Sequence, residues 1–222
     1  MKGKIEKCKA YIFDLDGTLA YTIDDLRTAM NRMLEELGYP LMTKQDILNN
    51  INCGARLFVK RCLPEGIRED EEKLEEAFLL YQSCYQGCYL DSTVLYPGVA
   101  EGIAYLNEKN IPLAVFSNKS TEHVVPIINK LFPKDSFKII LGHDDRFPTK
   151  PDPSGPKWIA GQFDLNPNEI GFIGDSDVDM HTAINSGMHP IGVNWGYRPP
   201  ELLLELGAEA VLASLDDIKA LA

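Results

Sequence analysis

Two aspartates separated by one residue are the feature of this sequence best suited to chemistry. Asp14 and Asp16 follow a short apolar run, residues 10–13, and Gly17 comes directly after them. The apolar run predicts a buried strand, and the glycine predicts a turn that ends it. Because side chains alternate along a strand, the two carboxylates could share one face. Two acids at the end of a buried strand are costly to desolvate and repel each other, and a bound cation or a proton on one of them would relieve that cost.

Three further polar clusters follow other strand-like runs and change the interpretation of the aspartate pair. Taken alone, an Asp-x-Asp-Gly sequence is more often a turn than a site. The other clusters are Ser117-Asn118, Lys150-Pro151-Asp152-Pro153 and Gly174-Asp175-Ser176-Asp177-Val178-Asp179. In a parallel α/β sheet, ligands bind beyond the carboxyl ends of the strands, and all four clusters lie at or beyond such ends.

Composition and charge limit the classes of partner. The 222 residues can bury a large core, as one domain with an insertion or as two domains. The 33 acidic and 22 basic residues give a net charge of -11, which argues against sequence-independent nucleic-acid binding and against attachment to an anionic membrane. The five cysteines show no C-x-x-C zinc spacing, and neither a signal peptide nor a membrane helix is indicated. We therefore expect a cytoplasmic protein with no nucleic-acid or membrane partner.

The hydrophobic pattern divides the chain into a helical segment and a segment in which strands alternate with helices. Residues 20–91 show helical spacing, and Thr22 followed by Asp25 predicts a capped helix start. After Tyr96-Pro97-Gly98, strands alternate with helices, which predicts a parallel sheet covered on both faces. The predicted strands are residues 10–13, 111–116, 138–141, 170–173 and 191–193. The predicted helices include residues 23–37, 44–51, 56–63, 123–131, 156–163 and 178–186, with another after Glu69.

The four polar clusters resemble the four motifs of the haloacid dehalogenase-like superfamily. Their order and spacing are typical of it: Asp14-x-Asp16-Gly17-Thr18, Ser117-Asn118, Lys150-Pro-x-Pro and Gly174-Asp175-x-x-x-Asp179. Residues 96–99 and 193–198 are similar to segments of its phosphoglycolate phosphatase-like members. The resemblance covers the whole chain, because the helical segment resembles the cap of the first subfamily. The expected fold class is therefore α/β: a three-layer Rossmann-like core with a parallel sheet, residues 1–19 and 92–222, plus an inserted all-helical cap domain, residues 20–91.

This resemblance implies a phosphatase that acts through an aspartyl-phosphate. Asp14 would attack phosphorus, which is a recognised covalent strategy. Asp16 would protonate the leaving oxygen and then deprotonate water for the second step. A dehalogenase expels halide and needs no proton donor at that position, and dehalogenases of the family lack the second aspartate. The presence of Asp16 therefore favours phosphate ester hydrolysis.

The charges of the site indicate that a metal ion is needed. Asp14, Asp175 and Asp179 would repel a phosphate monoester, which carries about -2, even if Asp16 holds a proton. Mg2+ held by a few carboxylates and by the phosphate is the usual solution. By the resemblance, Asp14, the backbone carbonyl of Asp16 and Asp175 bind the metal, with Asp179 close to it.

Three residues are candidates for binding the phosphate group. Lys150 adds a positive charge aimed at the phosphoryl oxygens and at Asp14, and Pro151 and Pro153 stiffen its loop, although a lone lysine is by default a solvated surface residue. Ser117 and Asn118 offer donors matched to phosphate oxygens. Ser-Asn after a strand is also typical of a helix cap, and the two roles are compatible because helix N-termini bind anions.

Several substrates and one other functional class fit the sequence. The expected partner is a small phosphorylated metabolite, and the resemblance favours phosphoglycolate. A nucleoside monophosphate, a sugar phosphate and pyrophosphate are alternatives, as is a phosphomutase of the same family. A non-catalytic phosphate-binding or regulatory protein is the competing class. Asp16 argues against that class, because binding alone does not require an acid/base.

Overall fold

The chain folds into two compact units, one formed by residues 1–20 and 95–222 and the other by residues 21–94. The computed structural model describes residues 2–3, 7–51, 54–144 and 146–222, so Cys53 lies outside the described residues. No helix in the described part of the chain has both the length and the apolar character needed to cross a membrane.

The strands of the first unit form a mixed sheet that is almost entirely parallel. In chain order the strands are β1 (Lys2–Gly3), β2 (Ala10–Phe13), β3 (Ala20–Tyr21), β4 (Val94–Leu95), β5 (Leu113–Ser120), β6 (Ile139–His143), β7 (Ile170–Gly174), β8 (His189–Val193) and β9 (Ala210–Leu212). The main sheet has the order β1-β9-β8-β7-β2-β5-β6, and β3 pairs with β4 separately. All neighbours in the main sheet are parallel except β1 and β9. This topology confirms the predicted α/β class, and it places β2 between β5 and β7.

Helices connect these strands. They are α1 (Ile23–Glu36), α2 (Lys44–Asn50), α3 (Ala55–Cys62), α4 (Glu65–Arg68), α5 (Glu71–Gln86), α6 (Val99–Glu108), α7 (Thr121–Leu131), α8 (Ser154–Gln162), α9 (Asp177–Ser186), α10 (Pro200–Glu205) and α11 (Leu215–Lys219). Strand β2 is buried along its whole length, as its continuous apolar run predicts. Its Ile12 side chain is fully buried in an apolar cluster that includes Ala114 of β5 and Phe172 of β7. The strand that precedes Asp14 is therefore fixed in the core by contacts with the strands on either side of it.

The second strand of the site differs from its prediction. The predicted strand, residues 111–116, is Leu113–Ser120 in the structure, so Ser117 and Asn118 are strand residues. The expectation that they cap a helix is wrong, because α7 begins at Thr121 and its N-cap is Ser120. The reason is the pairing with β6, which resumes at Ser120 and His143 after a register irregularity.

The second unit is built mainly of helices α1 to α5. Helix α1 lies within the predicted range, residues 23–37; it buries an apolar face that includes Leu26, Met30 and Met33, and it packs against α5. Thr22 stands at its N-cap position, but its side chain makes no capping hydrogen bond, so that detail of the prediction is wrong. The short helix α4 carries no sequence signal of its own. That residues 20–91 act as a cap stays a prediction.

Candidate active site

Three adjacent strands deliver the polar clusters to one edge of the sheet. Asp14 directly follows β2, Ser117 and Asn118 lie near the end of β5, and Asp175 directly follows β7. Because these strands are parallel neighbours, their carboxyl ends share an edge, which is where α/β sheets bind ligands. Lys150 reaches this edge from the segment between β6 and α8.

Three carboxylates meet at this edge. Asp14, Asp175 and Asp179 are buried, and each has an oxygen within 4.8 Å of an oxygen of the others. Asp14 Oδ1 accepts no well-directed hydrogen bond from the described residues, although the Lys150 ammonium lies 2.8 Å away. A buried donor set made only of carboxylate oxygens, with one ammonium to offset three acids, is suited to a hard divalent cation. The residues therefore fit a divalent metal ion.

Asp14 holds its proton unusually tightly in this arrangement. Burial raises the pKa of Asp14 from 3.8 to about 7, the Lys150 charge opposes this rise, and the charges of Asp179 and Asp16 add to it. The pKa of Asp175 is also raised well above its ordinary value, first by burial and then by Asp179 and Asp14. A metal ion must therefore displace protons at neutral or lower pH.

Lys150 is a buried cation held between two acids. Its Nζ lies 2.8 Å from Asp14 Oδ1 and 2.7 Å from Asp179 Oδ1, and its side chain is 3% exposed. Burial alone would lower the pKa of Lys150, but the charges of Asp14 and Asp179 outweigh burial and raise it. The lysine therefore stays protonated in the site and is not a solvated loop residue.

Asn118 contacts the backbone of this lysine. The Lys150 N–H donates to Asn118 Oδ1 at 2.7 Å, and Asn118 Nδ2 donates to the Lys150 carbonyl at 3.3 Å. The amide thus fixes the loop that carries the ammonium group. An amide nitrogen has a second hydrogen, and its use for a phosphate oxygen stays a prediction. Ser117 is buried, and its Oγ accepts a bond from the Lys119 N–H at 3.3 Å.

Asp179 is oriented by the start of helix α9. Its Oδ2 accepts from Ser176 Oγ at 2.6 Å and from the N–H groups of Ser176 and Asp175, which leaves Oδ1 for Lys150. Ser176 Oγ in turn accepts from the Asp179 N–H, which completes a capping box. The capping role of Asp179 and its contact with the lysine are therefore made by different oxygens of one carboxylate.

Asp175 is enclosed by residues 17–18 of the first polar cluster and by residues 196–197, and the sequence predicted no contact of either segment with it. Its Oδ1 accepts from Thr18 Oγ1 at 3.0 Å, and its Oδ2 accepts from the Tyr197 N–H at 2.8 Å. A Cβ atom on Gly17 or on Gly196 would overlap the Asp175 side chain, and Gly17 also has a φ of +85°. Both glycines are thus required by close packing on the carboxylate. Two signals were available in the sequence: the place of Gly17 and Thr18 in the first polar cluster, and the similarity of residues 193–198 to phosphoglycolate phosphatase-like segments.

Asp16 has a partner that sequence reasoning missed. Its Oδ1 lies 2.9 Å from Lys119 Nζ, and the two side chains are 14% and 7% exposed. Asp16 is thus paired with a different lysine from the one that contacts Asp14 and Asp179. The only available signal for Lys119 was its position next to Ser117-Asn118, because no pattern in the sequence links it to Asp16.

Comparisons with known proteins match this chain along most of its length. The model of the haloacid dehalogenase-like hydrolase family matches residues 11–193, a range that contains all four polar clusters. A phosphoglycolate phosphatase from Nitrosospira multiformis is 34% identical over 209 residues, which cover 93% of this chain and 92% of that protein. Another from Pseudomonas putida is 32% identical over 216 residues, covering 95% and 77% of the two chains. A solved structure from Lactobacillus delbrueckii subsp. bulgaricus superimposes with a TM-score of 0.89 at 29% identity, covering 96% of this chain and 98% of the other.

These matches confirm the predicted resemblance and the predicted class of enzyme. The family model extends across the residues that form the carboxylate cluster and its lysine, and the two phosphatase relatives match more than nine-tenths of the chain. The chain therefore belongs to the haloacid dehalogenase-like hydrolase family, and it is a phosphatase of that family.

Proposed function

We propose that the protein is a cytoplasmic, Mg2+-dependent phosphatase that hydrolyses a small phosphomonoester through an aspartyl-phosphate, with phosphoglycolate as the favoured substrate. The observation that carries the mechanism is the contact of one buried ammonium, Lys150, with both Asp14 and Asp179 inside a carboxylate cluster. The substrate is favoured by the relatives named as phosphoglycolate phosphatases.

Asp14 acts as the nucleophile in this proposal. Its carboxylate attacks phosphorus and forms the aspartyl-phosphate, which divides one difficult displacement into two easier ones. Lys150 stabilises the ionised carboxylate and the phosphoryl oxygens. Mg2+, held by Asp14, Asp175 and the backbone carbonyl of Asp16 with Asp179 close by, would supply the positive charge that lets a phosphate dianion enter an acidic site.

Asp16 carries the proton in both steps. It protonates the bridging oxygen as the alcohol leaves, and as a carboxylate it then removes a proton from the water that attacks the aspartyl-phosphate. Ser117 and Asn118 bind the phosphoryl oxygens from the neighbouring strand. In the same proposal residues 20–91 form a cap that excludes bulk water and selects the leaving group, while residues 1–19 and 92–222 form the catalytic core.

The first prediction tests the nucleophile and the metal together. Phosphate release from phosphoglycolate should require Mg2+, and Asp14→Asn should lower kcat by a factor on the order of 1000 or more, because an amide cannot attack phosphorus. Rapid acid quench with 32P-labelled substrate should trap a phosphoenzyme in the unaltered protein and none in Asp14→Asn.

Asp164→Asn is the matched control for this substitution. Asp164 is exposed and has a φ of +54°, a conformation that asparagine also tolerates, so this variant should keep full activity. Activity that survives both EDTA and Asp14→Asn would contradict the proposed mechanism. A panel of phosphorylated metabolites, a nucleoside monophosphate, a sugar phosphate and pyrophosphate among them, then ranks the substrates by kcat/KM.

A further inference from the structure

We infer that Lys119 is a positioning residue that orients the Asp16 carboxyl group toward the leaving oxygen of the substrate. The inference rests on the proposed role of Asp16 as the proton donor. Lys119 lies outside the motif residues, and it forms an ion pair with Asp16, whereas Lys150 forms ion pairs with Asp14 and Asp179.

The contact between Lys119 and Asp16 is short and shielded from solvent. Nζ of the lysine lies 2.9 Å from Oδ1 of the aspartate, and the lysine side chain is only 7% exposed. Lysine is normally among the most exposed residues, and exposed ion pairs hold their partners weakly. A shielded pair at 2.9 Å restricts the aspartate to a narrow range of side-chain torsions.

The backbone around Lys119 is shaped to direct its side chain. The pairing of β5 with β6 changes register between Phe116 and Ser120, and the Lys119 N–H donates to Ser117 Oγ at 3.3 Å. A Cβ atom on Gly142 of β6 would lie 2.5 Å from the Lys119 carbonyl oxygen. The absence of a side chain at Gly142 therefore lets the two backbones approach closely at this point. Irregularities of this kind next to active sites commonly re-aim a side chain. The irregular backbone of β5 therefore helps to place the Lys119 side chain beside Asp16.

Orientation matters for a proton donor because transfer depends on the position of the acid. Displacement of a catalytic group by about 1 Å can cost about 100-fold in rate. The effect of such a displacement is largest for a strongly basic leaving group, since that group cannot depart without a proton. A weakly basic leaving group departs with little help from the acid.

The test compares two aryl substrates that differ mainly in leaving-group basicity. For phenyl phosphate, Lys119→Met should lower kcat/KM by about 10- to 100-fold. For p-nitrophenyl phosphate, whose leaving group is much less basic, the loss should stay under about threefold. The ratio kcat/KM is chosen because it reports the steps up to departure of the leaving group.

A double-mutant cycle separates an action through Asp16 from a direct action on substrate. In the Asp16→Asn background, adding Lys119→Met should change kcat/KM by less than about twofold, because the group that it positions is already gone. Lys119→Arg keeps the charge and should restore most of the loss. It also tests the idea if Lys119→Met does not fold. Lys134→Met, at an exposed lysine of the same unit, should behave like the unaltered protein.

Two results would overturn the inference. Equal losses for both aryl substrates, or a Lys119→Met effect that persists in full without Asp16, would show that the lysine binds phosphate or stabilises the fold. If Asp16→Asn itself lowers kcat/KM equally for both substrates, the proton-donor role of Asp16 fails, and the inference fails with it. Because the single variant Asp16→Asn reveals that outcome, failure of the proton-donor role can be distinguished from failure of the Lys119 inference.

Discussion

The buried carboxyl group of Asp14 holds its proton to nearly neutral pH, and this property links stability to pH. Its pKa in the folded protein is about 7, against 3.8 for an ordinary aspartate, because burial penalises the charged form. The folded state therefore binds this proton more tightly than the unfolded state. The stabilisation is fully present below the unfolded pKa of about 4 and is lost as pH rises through 7.

The second prediction follows from this sign. Without metal, the free energy of unfolding should fall between pH 5 and pH 8 by an amount on the order of a few kcal/mol, measured by urea denaturation. Asp14→Asn should make this profile less steep, because an amide does not titrate, and Asp175, whose pKa is also raised, should account for the slope that remains. A profile of unchanged steepness in the variant would place the titrating group elsewhere. Mg2+ should bind more tightly at pH 8 than at pH 5.5, since it competes with protons for the same oxygens.

At the residue scale, the sequence predicts which acids meet but not all of their partners. Asp14 and Asp175 follow apolar strand runs, so their meeting at one sheet edge follows from the alternation of strands and helices. The contact of Lys119 with Asp16 could not be predicted in the same way. It joins residues more than 100 positions apart, and it depends on a register irregularity that no local pattern encodes.

At the scale of elements, strand ends and short connections were the hardest features to predict. Strand β2 was predicted correctly, because a continuous apolar run bounded by a turn is a strong signal. Strand β5 is longer than predicted, since its last residues are polar and the pairing with β6 resumes only at Ser120. Strand β9 and helices α10 and α11 have at most six residues each, too few for a clear periodic pattern.

The third prediction concerns the segment between β8 and α10, which closes over Asp175. Gly196→Ala should destabilise the protein by about 1–3 kcal/mol and lower activity, because the added methyl group would overlap the Asp175 side chain. Gly161→Ala in α8 is the control, since a Cβ atom there meets nothing within 4 Å. It should be neutral or stabilise by about 0.5–1 kcal/mol. Both are measured by thermal unfolding and phosphate release, and equal effects of the two substitutions would contradict the packing argument.

At the scale of the whole molecule, the carboxylate cluster lies entirely within the unit formed by residues 1–20 and 95–222. A ligand that binds only the folded state stabilises the structure that surrounds it. The sequence predicts a helical part and a sheet-containing part, because a purely helical pattern gives way near residue 96 to helices that alternate with apolar strand runs. The same pattern predicts that the clustered aspartates lie in the sheet-containing part, because they follow its strand runs.

The fourth prediction uses this division. On addition of Mg2+, hydrogen exchange measured by mass spectrometry should slow in peptides that contain the ends of β2 and β7 and the first turn of α9. Peptides from residues 21–94 should change less, because no member of the cluster lies there. Asp175→Asn should abolish the protection. Slowing confined to residues 21–94 would place the metal outside the carboxylate cluster.

The side chain of Asn118 bonds to both backbone polar groups of Lys150: it accepts from the N–H and donates to the carbonyl. A carboxylate could only accept, a lysine could only donate, and a serine is too short to span the two. Few side chains other than an amide could therefore make both bonds at position 118, even though these two bonds involve no acid of the cluster. The accuracy with which the ammonium of Lys150 sits between two aspartates is thus set in part by a neutral residue on the adjacent strand.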